Sequence, residues 1–169
     1  MLCADFALPS DYMHETRISL DEVDSRLLAA LQRDAHLTAQ ELGELLNLSA
    51  SQAGRRRQRL EEAGLITGYS ARLDPLRLGL AIQAFIQVQM VRHGTDTSAA
   101  FARLVANRPE IVSAWTTTGE ADYLLRVYCE DLASLNTLIH QVLLTHPSVA
   151  RVQSQIAMDQ FKPDAPLPI

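Results

Sequence analysis

The sequence predicts an α+β protein with two folded parts: an N-terminal winged helix-turn-helix domain, then a ferredoxin-like βαββαβ domain. Three closely spaced helix starts, each marked by capping-box residues, predict the first part. A period-two strand opening a β-α-β-β-α-β order predicts the second. Asp74-Pro75 interrupts the pattern between them, as a linker does.

The pattern divides the chain into four segments. Residues 1–18 form an N-terminal tail with no basic region ahead of an apolar core, so we do not expect a secretory signal. Residues 19–73 form the winged helix-turn-helix domain, with the helix-turn-helix at about 38–63. Residues 74–80 are the linker, and residues 81–169 form the ferredoxin-like domain. No apolar run approaches the roughly 18 residues that span a bilayer, so no membrane partner is expected.

Composition limits the chemistry. The net charge of −5 argues against a protein that coats nucleic acid indiscriminately. Cys3 and Cys129 form no CxxC pair, which favours a reducing cytoplasm over a disulfide framework. The histidines lack the HExxH spacing, so neither a metal nor a cofactor is expected. They are His14, His36, His93, His140 and His146.

Two amphipathic helices open the first domain. Ser19 and Glu22 offer a capping box for the first helix, which ends near Asp34. Thr38 and Glu41 offer the second. Asn47 tolerates the left-handed conformation of a tight turn and is expected to end that helix. Their apolar stripes contain Val23, Leu27, Leu28 and Leu31, then Leu42, Leu45 and Leu46.

The third helix carries the positive charge. Ser49 with Gln52 supplies its cap, and Gly64 is expected to terminate it. Helical spacing turns Ala53, Arg57 and Leu60 inward and spreads the other arginines over the outer faces. The second helix of a helix-turn-helix enters the DNA major groove with its N-terminal residues at the base edges. The predicted DNA-binding residues are therefore Ser49, Ser51, Gln52, Arg55, Arg56 and Arg59.

Two further interpretations concern this helix and the chain after it. The arginines could instead form a solvated face held by Glu61 and Glu62, as charge runs usually do. Leu65 to Leu73, with a central Gly-Tyr, is interpreted as an extended segment or small wing.

The second domain begins with a strand from Ile82 to Met90, whose apolar residues alternate with glutamines and Phe85. A helix from about Thr97 ends before Pro109. Strands Val112–Thr117 and Asp122–Cys129, a helix Leu132–Thr145 and a strand Val149–Met158 follow. Phe85, Trp115 and Tyr128 fall on the face away from the helices, which favours packing against a second subunit. The alternative is a monomer with scattered exposed aromatics.

The loop Thr118-Gly119-Glu120 has suitable chemistry for a small zwitterion. Thr118 and the Gly119 N–H could hold a carboxylate, and Asp122 could accept a hydrogen bond from an ammonium group. Equally, Gly119 could supply a turn conformation that Asp122 caps.

Residues Leu20 to Leu80 resemble the winged helix-turn-helix domain of the Lrp/AsnC family of leucine- and asparagine-responsive regulators. The matching features include Leu20-Asp21, Leu48-Ser49, Arg56, Arg59-Leu60-Glu61, Gly64, Ile66 and Gly68-Tyr69. Three positions depart: the family usually has an apolar residue at Arg57, a proline near Ala50 or Gln52, and a larger apolar residue near Gly54. Arg57 must either snorkel past its small neighbours Ala53 and Gly54 or find a buried partner, because an unpaired buried charge is costly, and snorkelling is the favoured expectation.

Trp115 to Val127, together with Lys162 and the closing Leu167-Pro168-Ile169, resembles the regulatory domain of the same family. The resemblance implies a transcriptional regulator that binds double-stranded DNA and an amino-acid-like effector. The implied effector residues are Thr118, Gly119, Glu120 and Asp122. It also implies a homodimer and a higher homo-oligomer such as an octamer, without enzymatic activity.

Two alternatives stay open. Some sirohaem decarboxylases resemble this family in both halves, but no nucleophile, base and orienting group occur together here. The other alternative is that the protein has lost specific DNA binding and acts as a ligand-sensing partner of other regulators. Arg57 and Gly54, which depart from the family pattern, motivate it.

Overall fold

A computed structural model describes residues 19–91 and 95–169, without the side chains of residues 95 and 96. The predicted tail and residues Cys3, His14 and His93 lie outside this described part. Contacts divide the chain into a helical unit, whose described residues run to Ala71 and include Lys162–Ile169, and a sheet unit, Arg72–Phe161. In the described residues, no helix is long and apolar enough to cross a membrane.

The helical unit contains α1 (Glu22–Arg33), α2 (Ala39–Leu46) and α3 (Ala50–Glu62). The capping boxes predicted for α2 and α3 are confirmed, at Thr38 with Glu41 and at Ser49 with Gln52. The one predicted for α1 is wrong, because Asp21 caps that helix and exchanges hydrogen bonds with Asp24. The Asp21 carboxylate accepts from the Asp24 N–H at 2.7 Å, so α1 starts after Asp21.

The turn between α2 and α3 is tight. Asn47 has φ 55°, as predicted for the residue that ends α2. Gly43 lies so close to the turn that an added Cβ would stand 2.7 Å from the Leu48 carbonyl oxygen. The helix-turn-helix therefore closes through a backbone approach that only glycine permits. Its core consists of Leu27, Leu28, Leu31, Leu42, Leu46, Ala53 and Leu60.

Gly64, at φ 71°, follows α3 and ends it as predicted. The segment from Leu65 to Ala81 contains one 3₁₀ turn, Leu76–Leu78, and no strand. The prediction for Leu65 to Leu73 was either a small wing or an extended segment. The structure shows no paired strands in this segment, so the extended interpretation is the one that agrees with it. Leu65 and Ile66 instead donate backbone hydrogen bonds to the Leu60 carbonyl, which holds the start of the segment against the end of α3.

The sheet unit has four antiparallel strands, β1 (Ile82–Met90), β2 (Ile111–Thr116), β3 (Tyr123–Cys129) and β4 (Val149–Ile156). Their order is β2-β3-β1-β4. This is the arrangement that the predicted βαββαβ order produces. Ala84, Ile86 and Val88 are fully buried, so one face of β1 forms the centre of the core.

Two helical segments cover that face. α4 (Thr95–Ala106) contributes Phe101, which is buried against Tyr123 with 4.8 Å between ring centroids. α5 (Leu132–Thr137) is capped by the Asp131 carboxylate and continues into a π-helical turn, Leu138–Leu143, where a single helix was predicted. In the wider turn the Leu144 N–H donates to the Ile139 carbonyl. Leu135, Leu138 and Leu143 are buried.

Candidate nucleic-acid interface and effector hollow

The N-terminus of α3 is organised by its own polar residues. Ser49 Oγ accepts from the Gln52 N–H, and Gln52 Oε1 accepts from the Ser49 N–H at 3.0 Å. Ser51 Oγ lies 3.2 Å from Ser49 Oγ. Ser49 and Gln52 thus fix the helix start, and the Gln52 amide nitrogen carries two donors that this acceptor role does not use. All three residues are exposed.

A groove of about 340 Å³ runs along α3. Its lining residues are Leu48, Gln52, Arg55, Arg56 and Arg59, four of which were predicted to bind DNA. The structure therefore brings three arginines to one surface, which extends from the first turn of α3 at Gln52 to its last turn at Arg59. Planar guanidinium groups suit both phosphate oxygens and the O6/N7 edge of guanine.

Arg56 and Arg59 also bind inward, to acidic residues of α1. Arg56 Nη1 donates to Asp21 at 2.6 Å and to Asp24 at 2.8 Å, and Arg59 Nη2 donates to Asp24 at 2.5 Å. The outward placement predicted for Arg56 is therefore only partly right, because its side chain is 30% exposed. Arg59 is 57% exposed and reaches both solvent and Asp24.

Sequence reasoning missed Asp24, although a signal was present. Asp24 precedes Leu27, Leu28 and Leu31 at helical spacing, so it belongs to the apolar stripe of α1, and it is 1% exposed. A carboxylate on a buried stripe requires a charged or hydrogen-bonding partner. Such a residue therefore predicts a cation nearby, and α3 supplies two.

Asp21 stands at the edge of the same cluster. The backbone N–H of Asp24 and, after it, the guanidinium of Arg56 lower the pKa of the Asp21 carboxyl below its ordinary value. The carboxylate is therefore held in its charged form. It serves both as the cap of α1 and as a second anchor for Arg56.

Arg57 was expected either to snorkel, the favoured arrangement, or to find a partner, and the structure shows partners. Its Nε donates to Glu61 at 3.0 Å, its Nη1 donates to the Leu37 carbonyl at 3.2 Å, and its Cζ lies 4.8 Å from the centroid of the Tyr69 ring. The Tyr69 hydroxyl donates to Glu61 at 2.8 Å. Hydrogen bonds from Arg57 and then Tyr69 lower the pKa of Glu61. Arg57 therefore connects α3 to the chain segments before and after the helix, at Leu37 and Tyr69, and it does not line the groove.

The β2–β3 loop carries the predicted effector residues. Thr118, Gly119 and Glu120 are exposed, and Gly119 adopts φ 111°. The Asp122 Oδ2 atom accepts from the Met90 N–H at 2.7 Å, and the Asp122 N–H donates to the Val88 carbonyl at 3.0 Å. Asp122 therefore anchors the end of the loop to β1, and the positive φ of Gly119 agrees with the turn conformation that the alternative interpretation expects.

Glu120 lines a small hollow of about 20 Å³ on the sheet face that carries no helices. The other lining residues are Gln87, Gln89, Ala121, Arg151 and Gln153. The strand register explains this grouping, because Gln89 pairs with Arg151 and Gln87 with Gln153. The period-two pattern placed Gln87 and Gln89 on the polar side of β1 and predicted no further role for them. The alternate spacing of Gln87 and Gln89 could have indicated that they share one face of the sheet. Arg151 could not have been added to this group without the register of β4 on β1.

Aromatic side chains share this open face. Phe85 pairs with Arg126, Gln83 with Tyr128, and Trp115 with Leu124, which places all six on one side of the sheet. Trp115 is 46% exposed, while Phe85 and Tyr128 are partly buried. The prediction that Phe85, Trp115 and Tyr128 lie opposite the helices agrees with this register.

Comparison with known families matches both halves of the chain. The AsnC-type helix-turn-helix domain matches residues 20–61, and the Lrp/AsnC ligand binding domain matches residues 83–167. The matches thus cover the helix that lines the groove and the sheet that carries the hollow.

Individual transcriptional regulators are also similar to this chain over most of its length. The DNA-binding transcriptional activator DecR of Escherichia coli (strain K12) is 35% identical over 150 residues, which cover 89% of this chain and 99% of DecR. The Bkd operon transcriptional regulator of Pseudomonas aeruginosa is 37% identical over 139 residues, 82% of this chain and 91% of that protein.

A transcriptional regulator of Neisseria meningitidis, solved as a complex with L-Met, superposes with a TM-score of 0.85 at 37% identity. The superposition covers 89% of this chain and 97% of that one. The predicted resemblance and fold class are thereby confirmed: the chain belongs to the Lrp/AsnC family of transcriptional regulators.

Proposed function

We propose that this protein is a sequence-specific DNA-binding transcriptional regulator of the cytoplasm, modulated by an amino-acid-like effector. The observation that carries the proposal is the groove along α3, which Arg55, Arg56 and Arg59 line together with Gln52 of the first helical turn. The DNA-binding residues are Ser49, Ser51, Gln52 and these three arginines. Acidic surface elsewhere restricts binding to this patch, since the whole chain carries a net charge of −5.

The effector would bind at the hollow beside the β2–β3 loop, with Thr118, Gly119, Glu120 and Asp122 on one side. Glu120 and Arg151 both line the hollow and supply opposite charges, which suit the ammonium and carboxylate groups of an amino acid. The relative solved with L-Met supports this ligand class. A volume of about 20 Å³ holds little more than a water molecule, so the proposed site includes surface from a second subunit.

Homo-oligomerisation supports both activities. The apolar residues of the open face, including the half-exposed Trp115, suit a homodimer interface, and a higher assembly such as an octamer would bring further subunits to the effector hollow. Several weak DNA-binding modules then act together because later contacts become intramolecular. An effector that binds one arrangement more tightly shifts the population toward it and changes the spacing of the modules.

The test is fluorescence anisotropy with DNA from upstream of the protein's own coding sequence, across a salt series, with and without pooled amino acids. We expect tight binding that weakens steeply with salt and changes with one amino acid. Arg55→Gln should reduce the log–log salt slope by about 0.9 for each phosphate that the side chain no longer neutralises. Arg103→Gln, on the exposed surface of α4, is the control with the same charge change. Absence of binding at low salt would refute the proposal.

A further inference from the structure

Asp24 is a buried carboxylate that holds two residues of the groove at once. Its Oδ1 accepts from Arg56 Nη1 at 2.8 Å and its Oδ2 accepts from Arg59 Nη2 at 2.5 Å. Asp24 is 1% exposed, whereas Arg56 and Arg59 are 30% and 57% exposed. The ion pairs therefore connect a buried carboxylate of α1 to two arginines that line the groove.

Binding through both oxygens fixes the two guanidinium groups relative to each other. Arg56 and Arg59 are three residues apart on α3 and lie on adjacent turns of one face. Long arginine side chains otherwise sample many rotamers, and this freedom is lost when a planar group is held at one end. Asp21 adds a second hydrogen bond to Arg56 at 2.6 Å.

Positioning matters differently for the two kinds of DNA contact. A guanidinium has five N–H donors, so one that binds Asp24 retains donors for a second partner. Reading the O6/N7 edge of guanine requires the planar fork at a defined place and angle. A phosphate attracts a cation across a range of positions and carries no sequence information.

We propose that Asp24 is a positioning residue of the DNA-binding surface. By fixing the guanidinium groups of Arg56 and Arg59 along α3, Asp24 sets how well the protein discriminates between DNA sequences. The inference rests on the proposed DNA-binding function. It predicts that loss of the Asp24 charge lowers discrimination between sequences without lowering general affinity for DNA. A merely structural role predicts an equal loss for every sequence.

Asp24→Asn is the informative variant, because asparagine preserves the shape and one acceptor oxygen but removes the charge. Glu22→Gln is the matched control, since Glu22 is an exposed acid of the same helix and the charge change is identical. The full-length proteins are compared by anisotropy on a duplex selected from a random pool with the wild type and on a scrambled duplex of the same composition. Thermal melting checks that each variant is folded.

We expect the ratio of the two affinities to fall about tenfold in Asp24→Asn, the usual effect of removing one bidentate pairing with a base. Affinity for the scrambled duplex should stay constant or rise, because a negative charge near the groove is removed. Glu22→Gln should retain the wild-type ratio. An Asp24→Asn protein with the ratio of the wild type would overturn the inference.

Arg59→Lys provides an independent test if Asp24→Asn does not fold. Arg59 is more than half exposed, and lysine keeps the charge but lacks the fork that Asp24 orients. A lowered ratio is expected, and an unchanged one would overturn the inference. A wild-type protein from which no duplex can be selected would refute the proposed function itself, an outcome visible before any variant is measured.

Discussion

The guanidinium of Arg57 lies over the ring of Tyr69, with 4.8 Å between its Cζ atom and the ring centroid. Both side chains also contact Glu61, Arg57 through Nε and Tyr69 through its hydroxyl. The cluster fastens the chain that follows α3 back onto that helix, at a family position where an apolar residue is usual. An arginine at this inward position is thus accommodated by a stacked ring, a carboxylate and a backbone carbonyl.

A double-mutant cycle should detect this interaction. We expect Arg57→Met and Tyr69→Leu to show a coupling of about 0.5–1 kcal/mol in the free energy of unfolding, typical of a partly exposed cation–π pair. Urea denaturation of the full chain measures it. The control cycle pairs Tyr69→Leu with Gln58→Ala, whose side chain binds Glu62 instead, and should be additive. Additive effects of Arg57 and Tyr69 would contradict the stacking.

Replacing either of two helical glycines with alanine should change the stability of the protein, and the two changes should have opposite signs. Gly43→Ala places a methyl group 2.7 Å from the Leu48 carbonyl oxygen, so it should destabilise the protein by about 1–3 kcal/mol, as overpacking does. At Gly54 the nearest atom to an added Cβ is Ala39 Cβ at 3.7 Å, an ordinary contact. Gly54→Ala should therefore stabilise by about 1 kcal/mol through helix propensity. Urea unfolding distinguishes the two, and equal effects would refute the geometry.

Asp122→Asn separates a structural role from an effector role. Asparagine keeps an oxygen that can accept from the Met90 N–H, now 2.7 Å from Asp122 Oδ2, but it lacks the charge that attracts an ammonium group. We expect thermal stability and DNA affinity near wild type and loss of the amino-acid response. Asp122→Ala should lose the same response and some stability as well. A full response in Asp122→Asn would remove Asp122 from the effector site.

The cap of α5 predicts a pH dependence. The backbone N–H of Ser134 donates to the Asp131 carboxylate, and this hydrogen bond is the main cause of its lowered pKa. A pKa lowered in the folded state gives stability that is fully present above the unfolded pKa and is lost as pH falls through the folded pKa. As pH falls below the unfolded pKa, wild type should therefore lose stability faster than Asp131→Asn, which keeps a capping oxygen but does not titrate.

Urea unfolding at pH 6 and at pH 3.5 measures that difference. Glu130→Gln, a neighbouring exposed acid, is the control for a general change of charge. The stability gap between wild type and Asp131→Asn should narrow in acid. A gap that is constant with pH would show that the Ser134 hydrogen bond does not depend on the carboxylate charge.

Local sequence patterns were sufficient to predict the order of the elements and most of their ends. Thr38 with Glu41, Ser49 with Gln52, and the left-handed Asn47 could be predicted because capping and turn conformation depend on residues three or four apart. The period of two along β1 likewise predicted its buried face, because side chains of a strand alternate between the two sides.

Tertiary structure alone decided what the charged residues contact. Asp24 meets Arg56 and Arg59, 32 and 35 residues later, because α1 packs beside α3. Arg57 reaches Leu37 and Tyr69, and Arg151 reaches the hollow beside the β2–β3 loop through the register of β4 on β1. These distances follow from how complete elements pack, which local spacing does not encode. The sequence identified a basic helix, and packing determined which of its arginines are held and by what.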